Sequence, residues 1–202
     1  MQTLLTIHPD ASAITPRRIA VFAGTTRGGL PLHEQAANVV GARLAAAQCE
    51  LIFDGSPGGL IATVAEAVRA EAGQVIGVVP AAWDAAWRYP GCTQYYEAAS
   101  LWQRMALIGD LADGFIILPG GLETTAAMFD VLHLAHLAQH HKPIGLLNTE
   151  AFFAPHLALL EHLQQQGFLR MGTRAPALLC ERDPTLLVTL LLAAVQAAAG
   201  ER

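Results

Sequence analysis

Short runs of apolar residues alternate along the chain with longer stretches of helical pattern. Apolar runs of about 4–8 residues bounded by turn residues are typical of strands that are buried on both faces. The strands predicted in this way cover residues 18–23, 49–53, 74–79, 114–118, 144–147 and 176–180. The predicted helices cover residues 31–47, 60–72, 95–109, 124–139, 154–166 and 185–199.

Strands that alternate with helices in this order predict a parallel sheet, because right-handed crossovers place each connecting helix on a face of the sheet. The predicted fold class is therefore α/β, a doubly wound parallel sheet of Rossmann-like type with helices on both faces. The sequence contains no internal repeat, low-complexity tract or linker. We expect a single domain over residues 1–202, with residues 1–17 as an irregular N-terminal extension.

The composition is rich in apolar residues and poor in charge. Of the 202 residues, 53% are apolar and 14% are charged, and the net charge is −5. Globular domains carry about 25% charged residues, so this surface is poorer in charge than usual, and the chain is not of the disordered class. The negative balance argues against a nucleic-acid partner. The apolar excess indicates that part of the surface is covered, by a second copy of the chain or by a membrane.

A membrane is the weaker of these two alternatives. The longest uncharged stretch, between Asp183 and Glu201, begins with proline and contains polar residues, whereas a spanning helix needs about 20 mostly apolar residues. Residues 1–18 lack the apolar core of a signal peptide. The three cysteines are far apart and odd in number, which predicts neither a disulfide framework nor a metal site. We expect a soluble cytoplasmic oligomer that binds no membrane.

Three predicted strands end in glycine-rich turns that lead directly into helices. These turns cover Gly24–Gly29, Gly55–Gly59 and Gly120–Gly121. In doubly wound sheets, ligands bind beyond the carboxyl ends of the strands, where helix N-termini offer free N–H groups. Glycine also lets a backbone approach a ligand closely. One such turn is explained by tight turning alone, but three together predict a site for a small molecule that carries phosphate.

The familiar nucleotide-binding motifs do not fit these turns. The sequence has no Gly-x-x-x-x-Gly-Lys-Ser/Thr, which argues against a P-loop NTPase. The first turn, Gly24-x-x-x-Gly28, is not the Gly-x-Gly-x-x-Gly of dinucleotide-binding folds. Asp54 does end the second strand, where such folds place the acid that binds a ribose. A nicotinamide-dependent dehydrogenase therefore remains a minor alternative.

The segments around the third turn resemble a known family. The two most characteristic stretches are Leu118–Thr124 (LPGGLET) and Lys142–Asn148 (KPIGLLN). Together with Phe22–Gly28, Asp54–Ile61 and Val75–Pro80, they are similar to the motifs of the LOG (“lonely guy”) family. Its members are cytokinin riboside 5′-monophosphate phosphoribohydrolases, long mislabelled as lysine decarboxylases. The resemblance extends from about residue 18 to residue 168.

The resemblance implies a homodimeric enzyme without a cofactor, which hydrolyses the N-glycosidic bond of a nucleoside 5′-monophosphate and releases the base and ribose 5-phosphate. By position in the family motifs, Gly120, Gly121 and Thr124 would bind the phosphate through backbone N–H groups and a hydroxyl. Arg104 corresponds to the arginine of the family's Met-x-x-Arg-Lys motif, and its planar guanidinium suits a phosphate or ribose oxygen. The other residues expected to bind substrate are Gly24, Thr25, Thr26, Gly59 and Pro119.

The chain departs from the family at the catalytic glutamate. The motif Pro-Gly-Gly-x-Gly-Thr-x-x-Glu places that glutamate at Ala127 and its last glycine at Glu123, while Leu101 and Met105 replace the Met and Lys of the other motif. Hydrolysis needs an acidic group to stabilise an oxocarbenium-like centre or to orient water. Glu123 could supply it, as could Asp130, which lies one helical turn beyond Ala127.

Simpler roles exist for each of these candidates. A carboxylate at Glu123 complements a helix N-terminus, Asp130 could be a solvated surface group, and Arg104 could form a surface salt bridge. Three functional alternatives therefore stay open at the level of sequence. The chain could be a LOG-like hydrolase with an altered substrate, a nucleotide-binding protein that has lost hydrolysis, or a specialised biosynthetic enzyme on the same scaffold.

Histidines recur along and just after the predicted fourth helix. His133, His136 and His140 are spaced i, i+3 and i+7, with Asp130 on the same side and His141 adjacent, so a metal site is conceivable. Metal sites usually draw ligands from more than one element, and the family is not known for a required metal. We therefore expect surface or interface histidines and no bound metal.

Aromatic residues cluster in the middle of the chain, where the family has its base pocket. They are Trp83, Trp87, Tyr89, Tyr95, Tyr96 and Trp102. Core packing is the commoner role for such residues, although one or two of them could stack on a base. Arg88 and Tyr89 are further candidates for contacts with a base or a ribose.

For the implied dimer interface, the candidates are the helical segments 131–139 and 186–199.

Overall fold

The computed structural model describes residues 17–169 and 178–200. Within these residues, seven strands form one sheet: β1 (Arg18–Phe22), β2 (Glu50–Phe53), β3 (Val75–Pro80), β4 (Gln94–Ala98), β5 (Gly114–Ile117), β6 (Ile144–Leu147) and β7 (Leu178–Glu181). The α-helices described are α1 (Pro31–Ala46), α2 (Gly59–Ala70), α3 (Leu101–Leu111), α4 (Leu122–His136), α5 (Ala154–Gln165) and α6 (Pro184–Gly200). Short 3-10 turns cover Ala85–Trp87 and Thr149–Ala151.

All pairings between these strands are parallel, in the spatial order β4-β3-β2-β1-β5-β6-β7. The chain builds the sheet outwards from β1 through β2, β3 and β4. It then returns to the centre and builds the other half from β5 to β7. The order therefore reverses between β1 and β5, and this switch point is where ligands bind in doubly wound sheets.

Helices cover both faces of the sheet. On one face, α1, α2 and α6 contribute buried residues such as Val40, Val64 and Leu191 to an apolar core. On the other face, Ile108 of α3 and Met128 of α4 belong to a second core. Beyond Arg18, the first residue of β1, the central strands β1 and β5 carry no polar side chain because both of their faces are buried. The predicted fold class, a doubly wound Rossmann-like sheet, is confirmed.

The C-terminal helix α6 packs on its own fold. Leu187, Leu191 and Val195 are buried in the core that it shares with α1. It approaches the sheet closely at two glycines: a Cβ atom at Gly114 would lie 2.9 Å from the Val195 side chain, and one at Gly145 would lie 3.0 Å from the Leu187 side chain. No helix within residues 17–169 and 178–200 has both the length and the hydropathy needed to cross a membrane.

The helix predicted for residues 95–109 is wrong in its first part. Residues 94–98 form the edge strand β4, which pairs in parallel with β3. The helix α3 begins only at Leu101, after Ser100, whose Oγ accepts a hydrogen bond from the Gln103 N–H at 3.1 Å. The Ser100-x-x-Gln103 pattern is a capping signal that marks this helix start in the sequence. The β-favouring pair Tyr95-Tyr96 belongs to the strand before it.

The helix predicted for residues 124–139 begins at Leu122 and ends at His136. Ala138 has a φ of +55°, so the chain turns before His140. Residues 176 and 177 of the predicted last strand lie outside the described residues, as do residues 1–16 of the predicted N-terminal extension. The single domain over residues 1–202 stays a prediction.

Candidate functional site

The three glycine-rich turns meet at the carboxyl edge of the sheet and are joined by backbone hydrogen bonds. The Gly24 N–H donates to the Pro119 carbonyl oxygen at 3.0 Å, which ties the β1 turn to the β5 turn. The Ile61 N–H donates to the Gly24 carbonyl oxygen at 3.3 Å, and the Leu60 N–H donates to that of Thr26 at 3.4 Å. The start of α2 is thereby held against the β1 turn, so the predicted convergence of the turns is present.

Two of these glycines are required by the close packing of one turn against another. Gly59 has a φ of +72°, and a Cβ atom there would overlap the backbone of Thr25 and Thr26. At Gly120, a Cβ atom would overlap the Thr124 side chain and lie 2.8 Å from the Gly24 nitrogen. Larger residues at either position would separate the turns, because these neighbours are mostly backbone.

A cavity of about 350 Å³ lies beside the switch point between β1 and β5. It is lined by residues from β1, α2, α3 and α4 and from the loops that follow β1, β2 and β3. Four of the residues singled out in the sequence line it together: Arg104, Glu123, Thr124 and Asp130. Asp54, raised by the sequence only in the dehydrogenase alternative, and Trp83, one of the aromatic residues considered for base stacking, line it as well. Its volume is in the range of about 300–1,000 Å³ typical of small-molecule sites.

The other predicted substrate-binding residues lie in the turns that adjoin the cavity and do not line it. Gly24 and Pro119 are buried, whereas Thr25 and Thr26 are exposed. Gly121 immediately precedes α4, and a Cβ atom there would meet open space. The start of α4 at Gly121 therefore borders open space.

Arg104 is placed by α3 and by Trp83. Its backbone N–H donates to the Ser100 carbonyl oxygen at 2.9 Å, in the first turn of the helix. The guanidinium Cζ lies 5.6 Å from the centre of the Trp83 ring, a cation–π arrangement. Its Nε is buried and has no hydrogen-bond partner among the described residues. A buried donor without a partner costs about 1–3 kcal/mol, and more when the group is charged. A ligand oxygen that accepts a hydrogen bond from this Nε would remove that cost, so Arg104 is suited to an oxygen ligand.

The three carboxylates of the cavity are held very differently. The Asp54 Oδ1 accepts a hydrogen bond from the Ser56 N–H at 3.0 Å, and its Oδ2 accepts one from the Ser56 hydroxyl at 2.9 Å. Glu123 is exposed and Asp130 is half-buried. Within residues 17–169 and 178–200, neither Glu123 nor Asp130 makes a side-chain hydrogen bond or ion pair. Only the Asp54 carboxylate is fixed in place by the protein.

The cavity-facing side of α4 carries Glu123, Thr124, Ala127 and Asp130. Glu123 and Thr124 lie four and three residues before Ala127, and Asp130 lies three residues after it, so they share one face of the helix. Ala127 is 7% exposed and contributes only a methyl group, which packs in the core beneath the cavity. The acidic groups on this helix therefore lie one turn before and one turn after Ala127.

Arg88 and Tyr89, suggested by the sequence as ligand contacts, are used inside the protein. The Arg88 Nε donates to the Trp83 carbonyl oxygen at 3.1 Å, and its Nη1 donates to the Glu97 carboxylate at 2.9 Å. Tyr89 is buried against Phe53, with the two ring centres 5.9 Å apart. Neither residue lines the cavity. Of the aromatic residues in this region, Trp83 is the one on the cavity wall.

The histidines after the site do not form a metal centre in the described part of the chain. Residues 17–169 and 178–200 contain no group of three or more His, Cys, Asp or Glu side chains that could hold a metal ion. His133 and His136 are exposed on α4. His140 lies beyond the helix, where its Nε2–H donates to the Val131 carbonyl oxygen at 3.0 Å and its Nδ1 accepts the Lys142 N–H at 3.2 Å. Burial lowers the pKa of His140 below its usual value of 6.5.

Comparisons with known proteins show the family to which the chain belongs. A family model described as “Possible lysine decarboxylase” matches residues 61–190. The cytokinin riboside 5′-monophosphate phosphoribohydrolase of Rhodococcoides fascians is 34% identical over 169 residues, which cover 83% of this chain and 85% of that protein. The chain belongs to the LOG family. Another LOG-family relative, cytokinin riboside 5′-monophosphate phosphoribohydrolase LOG7 of Arabidopsis thaliana, is 32% identical over 76% of this chain and 71% of its own.

The solved structures that resemble this LOG-family chain share its fold at low sequence identity. The molybdenum cofactor binding protein of Rippkaea orientalis superposes with a TM-score of 0.67 at 17% identity, over 91% of this chain and 99% of that protein. This similarity shows the fold alone. The curated relatives support nucleotide hydrolysis at the level of the LOG family.

Proposed function

We propose that this LOG-family chain binds a nucleoside 5′-monophosphate, or a related phosphoribosyl compound, in the cavity and hydrolyses its N-glycosidic bond. The observation that carries the proposal is the unpartnered, buried Nε of Arg104 in a cavity that also presents carboxylates. Arginine offers donors in a planar array that matches phosphate and sugar oxygens. Carboxylates suit the positive charge that develops on a ribose ring when its bond to the base breaks.

The phosphate is best accommodated at the first turn of α4. The N–H groups after Gly120 and Gly121 and the Thr124 hydroxyl stand at the positive end of the helix dipole, where anions are stabilised. Gly24, Thr25, Thr26, Gly59 and Pro119 belong to the neighbouring turns that shape this edge of the site. Glu123 is exposed in the same helical turn, so it would have to point away from a bound phosphate or contact the sugar instead.

Asp130 is the better placed of the two acids on α4 to act on water. Both acids line the cavity, but Asp130 is half-buried whereas Glu123 is exposed. In the proposed reaction, water adds to C1′ of the ribose while the bond between C1′ and the base nitrogen breaks. The Asp130 carboxylate orients that water and accepts its proton, which then passes through solvent to the nitrogen of the leaving base, so that the carboxylate is restored. The products are the free base and ribose 5-phosphate.

A second candidate function is nucleotide binding without hydrolysis. It is favoured by Ala127, because the buried methyl group stands where LOG motifs carry the catalytic glutamate. In that case Arg104 still binds the nucleotide, and the carboxylate that activates water is missing. A specialised biosynthetic enzyme, with Glu123 as the carboxylate for an altered substrate, is a variant of the first proposal.

The two candidates are separated by incubating the protein with AMP and a panel of nucleoside 5′-monophosphates and measuring free base by chromatography. The hydrolase proposal requires base release by the unchanged protein and its loss in Arg104→Ala. Arg43→Ala, an exposed arginine on α1, is the matched control and should keep the activity. No base release, together with thermal stabilisation by a nucleotide, would leave binding alone. Base release gained only in Ala127→Glu would support that second candidate.

We further infer that the protein acts as a cytoplasmic homodimer. Trp102 at the start of α3 is 83% exposed, and Leu122 at the start of α4 is 85% exposed. Leu134 and Leu137 are further exposed apolar residues towards the end of α4. Exposed apolar residues of this size favour an interface on α3 and α4. The interface proposal therefore keeps the segment 131–139 and sets aside α6, whose main apolar side is already buried.

The dimer proposal is tested by light scattering coupled to gel filtration. Leu134→Asp should convert the dimer to a monomer, whereas Leu190→Asp, at a partly exposed position on α6, should leave it unchanged. A monomeric unchanged protein would contradict the proposal.

The cytoplasmic location is supported by the cysteines, since Cys49, Cys92 and Cys180 are all unpaired thiols. Fractionation of the producing cells tests that part.

A further inference from the structure

Asp54 supplies the cavity with a carboxylate that the matching LOG motif lacks. The segment Asp54–Ile61 resembles the family turn Gly-Gly-Gly-x-x-Gly-Leu-Met, in which the position of Asp54 is a glycine. In this chain Asp54 follows the last residue of β2 and lines the same cavity as Arg104 and Thr124. Aspartate in place of that glycine therefore adds a negative charge to the cavity at a position where the LOG motif has none.

The Asp54 carboxylate is held rigidly. Both of its oxygens accept hydrogen bonds from Ser56, one from the N–H at 3.0 Å and one from the hydroxyl at 2.9 Å, and Ser56 itself is buried. Between them, Gly55 has a φ of +76°, and a Cβ atom there would overlap Val79. The Gly55 carbonyl oxygen accepts the Tyr89 N–H at 2.7 Å. The turn that carries Asp54 is thus anchored on both sides.

A carboxylate held in this way still has acceptor capacity for a ligand. Its two oxygens offer about four lone-pair positions, of which Ser56 occupies two. No lysine, arginine or histidine forms an ion pair with Asp54 within residues 17–169 and 178–200. An acceptor without a cation partner on a cavity wall is suited to hydroxyl donors, and it repels a phosphate.

The position of Asp54 relative to the α4 turn suits the length of a phosphoribosyl group. β2 and β5 are separated by β1, so their carboxyl ends lie two strand spacings apart, roughly 10 Å. A phosphate at the start of α4 is therefore kept away from the Asp54 charge, while the sugar attached to it extends across the end of β1. We propose that Asp54 binds the 2′- and 3′-hydroxyls of the ribose and makes the site selective for ribosyl over 2′-deoxyribosyl compounds.

This inference rests on the proposed function, since it assumes a phosphoribosyl ligand in the same cavity. The competing explanation is that Asp54 only stabilises its own turn, because Asp side chains often bond to the backbone two residues ahead. Asp54→Asn distinguishes the two. Asparagine keeps a carbonyl acceptor for the Ser56 N–H and can support the same turn, but it lacks the negative charge that strengthens a bond to a hydroxyl.

The experiment measures the binding of AMP and of 2′-deoxy-AMP by calorimetry. The unchanged protein should bind AMP about 10-fold more tightly or better, the fold-change expected for a hydrogen bond to a charged group. In Asp54→Asn this preference should fall several-fold while binding of 2′-deoxy-AMP stays within about 2-fold. Ser56→Ala removes the hydroxyl that holds one carboxylate oxygen in place, and it should lose part of the preference because Asp54 is then less firmly positioned. Asp110→Asn, on the exposed side of α3, is the matched control and should keep it.

The outcomes separate the inference from the proposed function. Equal binding of the two nucleotides by the unchanged protein, or an undiminished preference in Asp54→Asn, would overturn the role of Asp54 even if base release is observed. If Asp54→Asn loses the preference for AMP and the unchanged protein releases no base, the role of Asp54 in binding the ribose is supported and hydrolysis is contradicted. No binding of either nucleotide would overturn both. Circular dichroism of Asp54→Asn establishes that the variant is folded, so that a loss of preference is assigned to the missing charge.

Discussion

The guanidinium of Arg104 lies against the ring of Trp83, with its Cζ 5.6 Å from the ring centre, while its Nε is buried without a partner among the described residues. Trp83 is itself fixed, because its carbonyl oxygen accepts a hydrogen bond from Arg88, which also pairs with Glu97. The aromatic ring and the helix α3 thus hold one arginine donor ready on the cavity wall. This is the arrangement expected of a site that recognises an anionic or oxygen-rich ligand.

Arg104→Lys should weaken nucleotide binding by about 10- to 100-fold, although the charge is retained. Lysine lacks the planar donor array and the stacking surface that the guanidinium presents to Trp83, and a hydrogen bond between charged groups is worth about 1.5–3 kcal/mol. Calorimetric titration with AMP measures the change. Arg43→Lys on α1 is the matched control. Unchanged affinity in Arg104→Lys would remove Arg104 from the binding site.

Asp130→Asn should reduce the rate of base release by about 100-fold or more, with little change in nucleotide affinity, because a positioned general base contributes roughly 10²–10⁴-fold. Glu123→Gln should have a smaller effect, since Glu123 is exposed. Steady-state kinetics on AMP separate kcat from KM for each variant. Full activity in both variants would show that neither acid on α4 replaces the family glutamate, and would leave Asp54 as the remaining carboxylate of the cavity.

Gly59→Ala should destabilise the fold by about 3 kcal/mol or more, because a left-handed φ costs a larger residue about 1–3 kcal/mol and the added Cβ meets the backbone of Thr25 and Thr26. Urea unfolding measures the difference. Gly109→Ala in α3 is the control: a Cβ atom there meets open space, and alanine should stabilise the helix by about 0.5–1 kcal/mol. Equal stability of the two variants would contradict the close packing of the turns.

The free energy of unfolding should fall as the pH falls below about 6.5, in part because of His140. Its pKa is lowered in the folded protein by burial, and nearby Lys142 acts in the same direction. Below the pKa of the histidine in the unfolded chain, the unfolded chain binds a proton that the native state does not. The contribution of the neutral His140 to the free energy of unfolding is therefore present above that pH and is lost as the pH falls below it. Urea unfolding at pH 7.5 and 5.5 should show a smaller decline in His140→Gln than in the unchanged protein. His133→Gln, at an exposed position, should keep the full decline.

Much of the fold is predictable from the apolar runs, and the exceptions have physical reasons. From their second residue onwards, β1, β2 and β5 are buried on both faces, so their continuous apolar pattern is unambiguous. β4 is an edge strand whose residues are mostly exposed or half-buried, so its sequence lacks that pattern and predicts instead the start of the following helix. The capping pair Ser100 and Gln103 is the local signal that separates the two elements.

The site is predictable where a motif marks it and not where it depends on the sheet order. Arg104 and Thr124 were found through family motifs, and the structure brings both to one cavity. Asp54 joins them because β2 lies next to β1 at the switch point, and the sequence alone does not predict this order of the strands. Arg88 has the chemistry of a ligand contact, but its partners Glu97 and the Trp83 carbonyl are set by the pairing of β4 with β3.

The most direct test of the proposed function is to identify the products formed from AMP. Phosphorus NMR follows the phosphate group, and chromatography of the same sample follows the base. The account predicts ribose 5-phosphate and adenine in equal amounts, formed by the unchanged protein and not by Arg104→Ala. Inorganic phosphate with adenosine would show that a different bond is broken. AMP that remains intact, with the same result across the panel of nucleoside 5′-monophosphates, would contradict hydrolysis of the N-glycosidic bond by this protein.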